Sequence, residues 1–142
     1  MKAKKTDFQE CEDCACFAVR RAARAITQIY DRHMRGTGLR ASQFTVLVVL
    51  ELVGEPVPMS RLAGRLGVER TTLTRNLRPL EAKFYITIRA SDDQRVRTVA
   101  ITERGRAAAA AAMPSWRKAQ AVVGKHVDNA SLHALAALGS RA

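Results

Sequence analysis

The sequence predicts a mainly α-helical chain carrying a small β-wing, and three observations predict it. A glycine turn at Gly67 separates two helical patterns, Arg61–Leu66 and about 69–83. The second pattern is polar and basic on one side (Arg70, Thr71, Thr72, Thr74, Arg75, Asn76, Arg78) and apolar on the other (Leu73, Leu77, Leu80). Two short runs rich in Ile, Val, Thr and Arg, Ile86–Arg89 and Arg97–Ile101, then flank a charged loop, Ser91–Val96. A basic helix after a tight turn suits a major groove, and a basic ribbon beside it suits the adjacent minor groove. The expected architecture is a winged helix-turn-helix with a helical stem, in the order α-α-α-α-β-β-α-α.

The elements are justified in chain order. Residues 1–10 are polar and expected to fray. From about Cys14 to Arg35, Phe17, Ala22, Ala23, Ile26, Ile29, Tyr30 and Met34 recur at helical spacing, and Gly36-Thr37-Gly38 ends the run. Ser42 is an N-cap candidate for a helix Gln43–Leu52 that is apolar nearly all round and therefore belongs in the core; Gly54 and Pro56 end it. Ser60 is the N-cap candidate for Arg61–Leu66. Pro79 falls inside the fourth helix, where it removes a backbone bond to Arg75 and is expected to kink the last turn. Thr102 caps a long fifth helix through Ala107–Ala112 to about His126, with a bend expected at Pro114. Six alanines favour helix and allow close approach of a neighbour, so a packed stem is expected. Asn129 or Ser131 opens a last short helix with Leu132, Leu135 and Leu138 on one face.

Composition narrows the function classes. At 142 residues one domain is expected, with the winged helix at about 41–102 and stem helices at about 14–36 and 103–140. Twenty-four Lys and Arg against thirteen Asp and Glu leave +11, which favours a polyanionic partner. Aromatic residues make up 5%, too few for single-strand recognition by stacked rings. The three His (His33, His126, His133) have no metal spacing, and neither a phosphate-binding glycine loop nor a nucleophile elbow is present, so no enzyme and no cofactor is expected. The most apolar run, Phe44–Val53, is about half the ~20 residues a spanning helix needs, and the N-terminus does not read as a signal peptide. A reducing cytoplasm is the expected compartment, because three clustered cysteines do not make a disulfide framework.

The run Asp93-Gln94-Arg95-Val96-Arg97-Thr98-Val99-Ala100-Ile101-Thr102-Glu103-Arg104-Gly105-Arg106 resembles the wing and fifth-helix start of the MarR family of multiple-antibiotic-resistance-type regulators. Met59–Glu81 is similar to that family's helix-turn-helix, and the resemblance covers about residues 14–140. It implies that the helix at about 69–83 is the recognition helix, that Arg95 is the wing-tip arginine entering the minor groove, and that Asp93 braces the loop. It also implies a homodimer whose first and last two helices form the stem. Transcription would be repressed until a small molecule, often aromatic or phenolic, or an oxidant shifts the spacing of the two reading heads. The chain departs from the pattern twice: Gln94 replaces a basic residue, and Phe84 stands where the family places Gly at the recognition-helix end. Phe tolerates a left-handed cap poorly, so either the helix ends differently, or the site is strained, or the residue is a substitution.

Thr72, Arg75 and Asn76 are the candidates for base edges, with Arg suited to guanine and Asn to adenine. Ser60, Thr71, Thr74 and Arg78 are placed at phosphates, and Arg70 belongs to the same DNA-facing set. Arg95 and Arg97, two apart on a strand edge, point the same way and suit the negative potential of a narrow minor groove. Cys11, Cys14 and Cys16 are candidates for a redox or soft-metal site at a helix start, although Glu10, Glu12 and Asp13 oppose thiolate formation; the alternative is a packed Cys16 with the others incidental. Tyr30, His33, Arg40 and Trp116 are candidates for an effector pocket, against the alternative of ordinary core residues. The expected function is a sequence-specific regulator acting on an inverted-repeat operator in double-stranded DNA. A thiol-based metal or redox sensor and a non-specific architectural binder remain the rivals.

Overall fold

A computed structural model describes residues 4–139, with the side chains of Lys5 and Thr6 left aside. A 3-10 helix, Lys5–Asp13, leads into α1 (Ala15–Met34) and a 3-10 turn (Arg35–Thr37). Then follow α2 (Ala41–Val53), β1 (Val57–Pro58), α3 (Met59–Leu66), α4 (Arg70–Ala82), β2 (Ile86–Ala90), β3 (Arg97–Ile101), α5 (Glu103–Gly124) and α6 (Asn129–Gly139). Fraying was expected over 1–10, but from Lys5 the segment is helical; residues 1–3 and the end of the predicted stem range, 140, lie outside the described residues.

The sheet has three antiparallel strands in the order β1-β3-β2, one more than the sequence predicts. Val57 pairs with Val99 and Pro58 with Thr98, while β2 runs from Ile86 opposite Ile101 to Ala90 opposite Arg97. A two-residue strand containing proline shows no alternation, which is why it escapes a periodicity reading. It ties the start of α3 directly to the base of the wing.

One core joins the reading head to the stem. Leu73, Leu77 and Leu80 of α4 are buried with Phe44, Val46, Leu47 and Leu50 of α2, Leu62 of α3, Ile86 and Val99 of the sheet and Ala112 of α5. At roughly 1.5–3 kcal/mol for each fully buried large side chain, this cluster dominates the favourable side of folding. The alanine block is split by it. Ala108, Ala109 and Ala112 pack inward, while Ala107, Ala110 and Ala111 face out.

Several helix ends differ from expectation. Ser42 and Ser60 are not N-caps; Arg40 and Pro58 occupy those positions. The start of α2 is instead held by Gln43 Oε1, which accepts from Arg40 N–H (3.0 Å), and by Asp31 Oδ1, which accepts from Ala41 N–H (2.8 Å). Thr102 caps α5 as predicted, its Oγ1 accepting from Gly105 N–H at 3.0 Å. α6 opens at Asn129, one of the two predicted starts, and Asp128 caps it: its Oδ1 accepts from Ser131 N–H (2.7 Å), which holds the Asp128 carboxyl below its ordinary range. Pro79 and Pro114 both lie inside unbroken helices, and Lys83 N–H donates to Pro79 O (3.2 Å) to close the last turn of α4.

Phe84 carries φ +60°, the one non-glycine residue in the left-handed region among those described. Tyr85 N–H donates to Leu80 O (2.9 Å) and Phe84 N–H to Glu81 O (2.9 Å), which together are a Schellman cap. Of the three outcomes open from the sequence, the helix ends in the family's manner and Phe84 is strained there. The corner is held from the stem side: Thr102 Oγ1 donates to Phe84 O (2.6 Å) and Thr102 N–H to Tyr85 O (3.0 Å). Gly105 makes this possible, since a Cβ there would meet Tyr85 O at 2.1 Å.

Candidate nucleic-acid interface

The predicted DNA-facing residues come from α3, α4 and the wing. Burial of Leu73, Leu77 and Leu80 turns the opposite face of α4 outward, leaving Arg70, Thr71, Thr72, Arg75 and Arg78 exposed, with Thr74 and Asn76 half-buried. Ser60, Arg70, Arg95 and Arg97 line one small cleft, so the start of the recognition helix and the wing share a surface. Arg70, Thr74, Arg78 and Arg97 line an adjoining groove of about 310 Å³ between α4 and the sheet. Thr71, Thr72, Arg75 and Asn76 fall outside both clefts.

The hydroxyl groups are not equivalent. Thr74 Oγ1 donates to Arg70 O (2.9 Å), so its single proton is committed to its own helix and it meets a phosphate poorly as a donor. Ser60, Thr71 and Thr72 make no side-chain hydrogen bond within the described residues and keep their protons free. Glu81 also lines the groove, an acidic neighbour that the basic pattern of α4 concealed. Arg61 and Arg65 of α3 and Arg89 of β2 are also exposed on these elements, outside both clefts.

The wing loop is held by Asp93 from within. Asp93 Oδ1 accepts from Arg95 N–H (3.2 Å), and its carbonyl accepts from Val96 N–H (2.8 Å) and Ser91 Oγ (2.7 Å). Ser91 N–H to Val96 O (2.8 Å) closes the loop at its base. Arg95 stands in this turn rather than on the strand, which begins at Arg97; both nevertheless line the cleft with Ser60. Neither arginine is ion-paired, since both salt bridges among the described residues belong to Arg106, with Glu51 and Glu103 (2.6 Å each). Those bonds raise the Arg106 pKa, the Glu51 hydrogen bond most; the Glu51 bond links α5 to α2, and the Glu103 bond lies within α5.

The four pocket candidates separate. Tyr30 and Trp116 line a cleft of about 260 Å³ with Ile26, Thr27, Ala41, Phe44 and Thr45 between α1, α2 and α5. Tyr30 hydroxyl donates to Gln120 Oε1, and burial raises its pKa. Arg40 lines a different cleft, and His33 neither, its Nδ1 lying 2.8 Å from Ile29 O on its own helix. Cys11, Cys14 and Cys16 are all exposed, so the packed Cys16 of the alternative reading is not found. Among the described residues no three His, Cys, Asp or Glu side chains are placed to hold a metal ion. No single helix among them is long and apolar enough to cross a membrane.

No family model matches the sequence. The HTH-type regulator YwoH of Bacillus subtilis, itself uncharacterized, is 29% identical over 85 residues, and the match spans 60% of this chain and 61% of that protein. Among solved structures, the M. tuberculosis transcriptional regulator MosR in complex with DNA is 42% identical with a TM-score of 0.81, over 91% of this chain and 96% of that one. A MarR-family regulator from Rhodococcus sp. RHA1, at 19% identity, shares the fold with a TM-score of 0.76 over 92% of each chain. The chain belongs to the MarR family of DNA-binding transcriptional regulators, a family of regulators rather than enzymes.

Proposed function

We propose that this chain is a homodimeric repressor that reads an inverted-repeat operator in double-stranded DNA. The observation that carries the reading is the shared basic surface of Ser60, Arg70, Arg95 and Arg97, where recognition helix and wing adjoin with no carboxylate among the described residues paired to them. In this reading α4 enters the major groove, with Thr72, Arg75 and Asn76 at base edges and Ser60, Arg70, Thr71 and Arg78 at phosphates. Arg95 and Arg97 follow the minor groove, and Asp93 sets the loop without touching DNA. The complex of MosR with DNA supports the assignment of the partner.

Dimerisation rests on apolar surface left uncovered in one chain. Phe8, Phe17, Leu135 and Leu138 are 47–63% exposed, on the N-terminal segment, α1 and α6. A two-fold axis through that stem would place two α4 helices about one DNA turn, ~34 Å, apart. For release, the Tyr30–Trp116 cleft has the apolar walls and polar tip that a small aromatic effector needs. The three exposed thiols offer oxidation as the second route.

Selection of bound DNA from a random pool, followed by footprinting, tests the reading. A protected palindrome is expected, with affinity falling steeply between about 50 and 200 mM salt. Uniform coating of DNA would instead make the protein an architectural binder.

A further inference from the structure

The turn between α1 and α2 forms a basic cleft that the DNA surface does not use. It is an open cleft of about 690 Å³ lined by Gln28, Asp31, Arg32, Arg35 and Arg40 with Gly38 and Leu39. Three arginines line it, and among the described residues none has a carboxylate within ion-pair distance. The single acidic group on the lining, Asp31, is engaged elsewhere: its Oδ1 accepts from Ala41 N–H at 2.8 Å. The cleft is therefore unbalanced by two positive charges, and its size is that of a site for a small organic ligand rather than a single ion. Arginine forks favour phosphate and carboxylate oxygens, and three of them on one wall favour a ligand with at least two negative charges.

The rim of this cleft touches the recognition helix. Lys83, the residue that follows α4, donates from Nζ to Gly38 O (2.8 Å), with its ammonium 5.9 Å from the centre of the Tyr85 ring. An anion seated beside Gly38 competes for that ammonium and loosens one of the two attachments at the end of α4. We propose that this cleft binds a small phosphate-bearing anion, and that Lys83 transmits its occupancy to the recognition helix. The regulatory half rests on α4 being the DNA-reading element; the binding half does not.

Inorganic pyrophosphate is a suitable probe, titrated into the full chain without DNA and at constant ionic strength. Saturable binding is expected, weakened at least tenfold by the combined Arg32→Gln, Arg35→Gln and Arg40→Gln substitutions, with the far-UV spectrum and melting transition retained. With an operator fragment at matched ionic strength, pyrophosphate should lower wild-type affinity several-fold. Lys83→Met should still bind pyrophosphate through the three arginines, with operator affinity already lowered and no further fall when pyrophosphate is added. Pyrophosphate binding that is absent, or indifferent to the three arginines, would overturn the site. If the triple variant binds pyrophosphate normally but loses operator affinity, the cleft holds backbone phosphate of DNA and the proposal is wrong. Should the wild type bind no operator at all, the DNA reading fails, while the DNA-free titration still decides the site.

Discussion

Phe84 offers a measurement of backbone strain separated from side-chain packing. At φ +60° a residue with a Cβ is disfavoured by ~1–2 kcal/mol, whereas glycine adopts the conformation freely. The ring is 70% exposed, so removing it forfeits about a third of the ~1.5–3 kcal/mol of a fully buried side chain, or ~0.5–1 kcal/mol. Phe84→Ala keeps the strain and loses that contact, and should destabilise the protein by roughly this amount. Phe84→Gly loses the same contact and gains unfolded-state entropy worth ~0.5–1 kcal/mol, but it releases the strain. The two variants differ in backbone alone, so glycine should exceed alanine by about 0.5–1 kcal/mol, or ~2–4 °C in Tm. Urea unfolding of wild type and both variants at one fixed protein concentration makes the comparison, since dimerisation would make stability concentration-dependent. Alanine equal to or better than glycine would show that the left-handed turn is not adopted, and the Schellman reading of this corner would fall with it.

Further outcomes follow from neighbouring geometry. Gly105→Ala would drive a methyl group to 2.1 Å from Tyr85 O, and should cost at least ~2 kcal/mol in denaturant unfolding; Gly64→Ala, with nothing within 4 Å, should instead stabilise α3 by ~0.5–1 kcal/mol. Asp93→Ala removes the acceptor for Arg95 N–H, so operator affinity should fall up to about tenfold in a gel-shift assay with the melting temperature unchanged; Arg95→Ala should fall at least as far and reduce the salt dependence. Burial raises the Tyr30 pKa, so the stability it confers is complete below the unfolded value of about 10 and declines as pH rises through the folded value; Tyr30→Phe should remove that alkaline decline in a pH series of melts. Paired Phe17→Glu and Leu138→Glu should halve the mass seen by light scattering if α1 and α6 meet a second copy.

Legibility in the sequence followed the range of the interaction concerned. The stripe Leu73, Leu77, Leu80 and the cap at Thr102 are local, and local pattern is what a single chain displays. The strand at Val57 exists because β3 is beside it, and Asp31 caps α2 from ten residues away; neither leaves a periodic mark. Side-chain identity also misled where geometry divides like residues. Tyr30, His33, Arg40 and Trp116 look like one polar-tipped set, yet helix phase sends Tyr30 and Trp116 into one cleft and His33 into neither, while Arg40, in extended backbone ahead of α2, lines another.

The end of α4 shows how such non-local bonds bear on regulation. Its first turn and the wing face the same cleft, where DNA would lie, while its last turn is fastened twice. One fastening runs from Lys83 to the α1–α2 turn, and the other from the Phe84–Tyr85 corner to Thr102 at the start of the stem helix α5. Gly105 brings α5 so close to Tyr85 O that the second joint has no room to slide. A rotation of α5 must then move the recognition helix, whereas the first joint is one flexible lysine that can let go. This division assigns rigid transmission to the stem and adjustable restraint to the α1–α2 turn. It predicts that Gly105→Ala perturbs operator binding with or without an anion, while Lys83→Met lowers operator affinity once and abolishes the response to the anion.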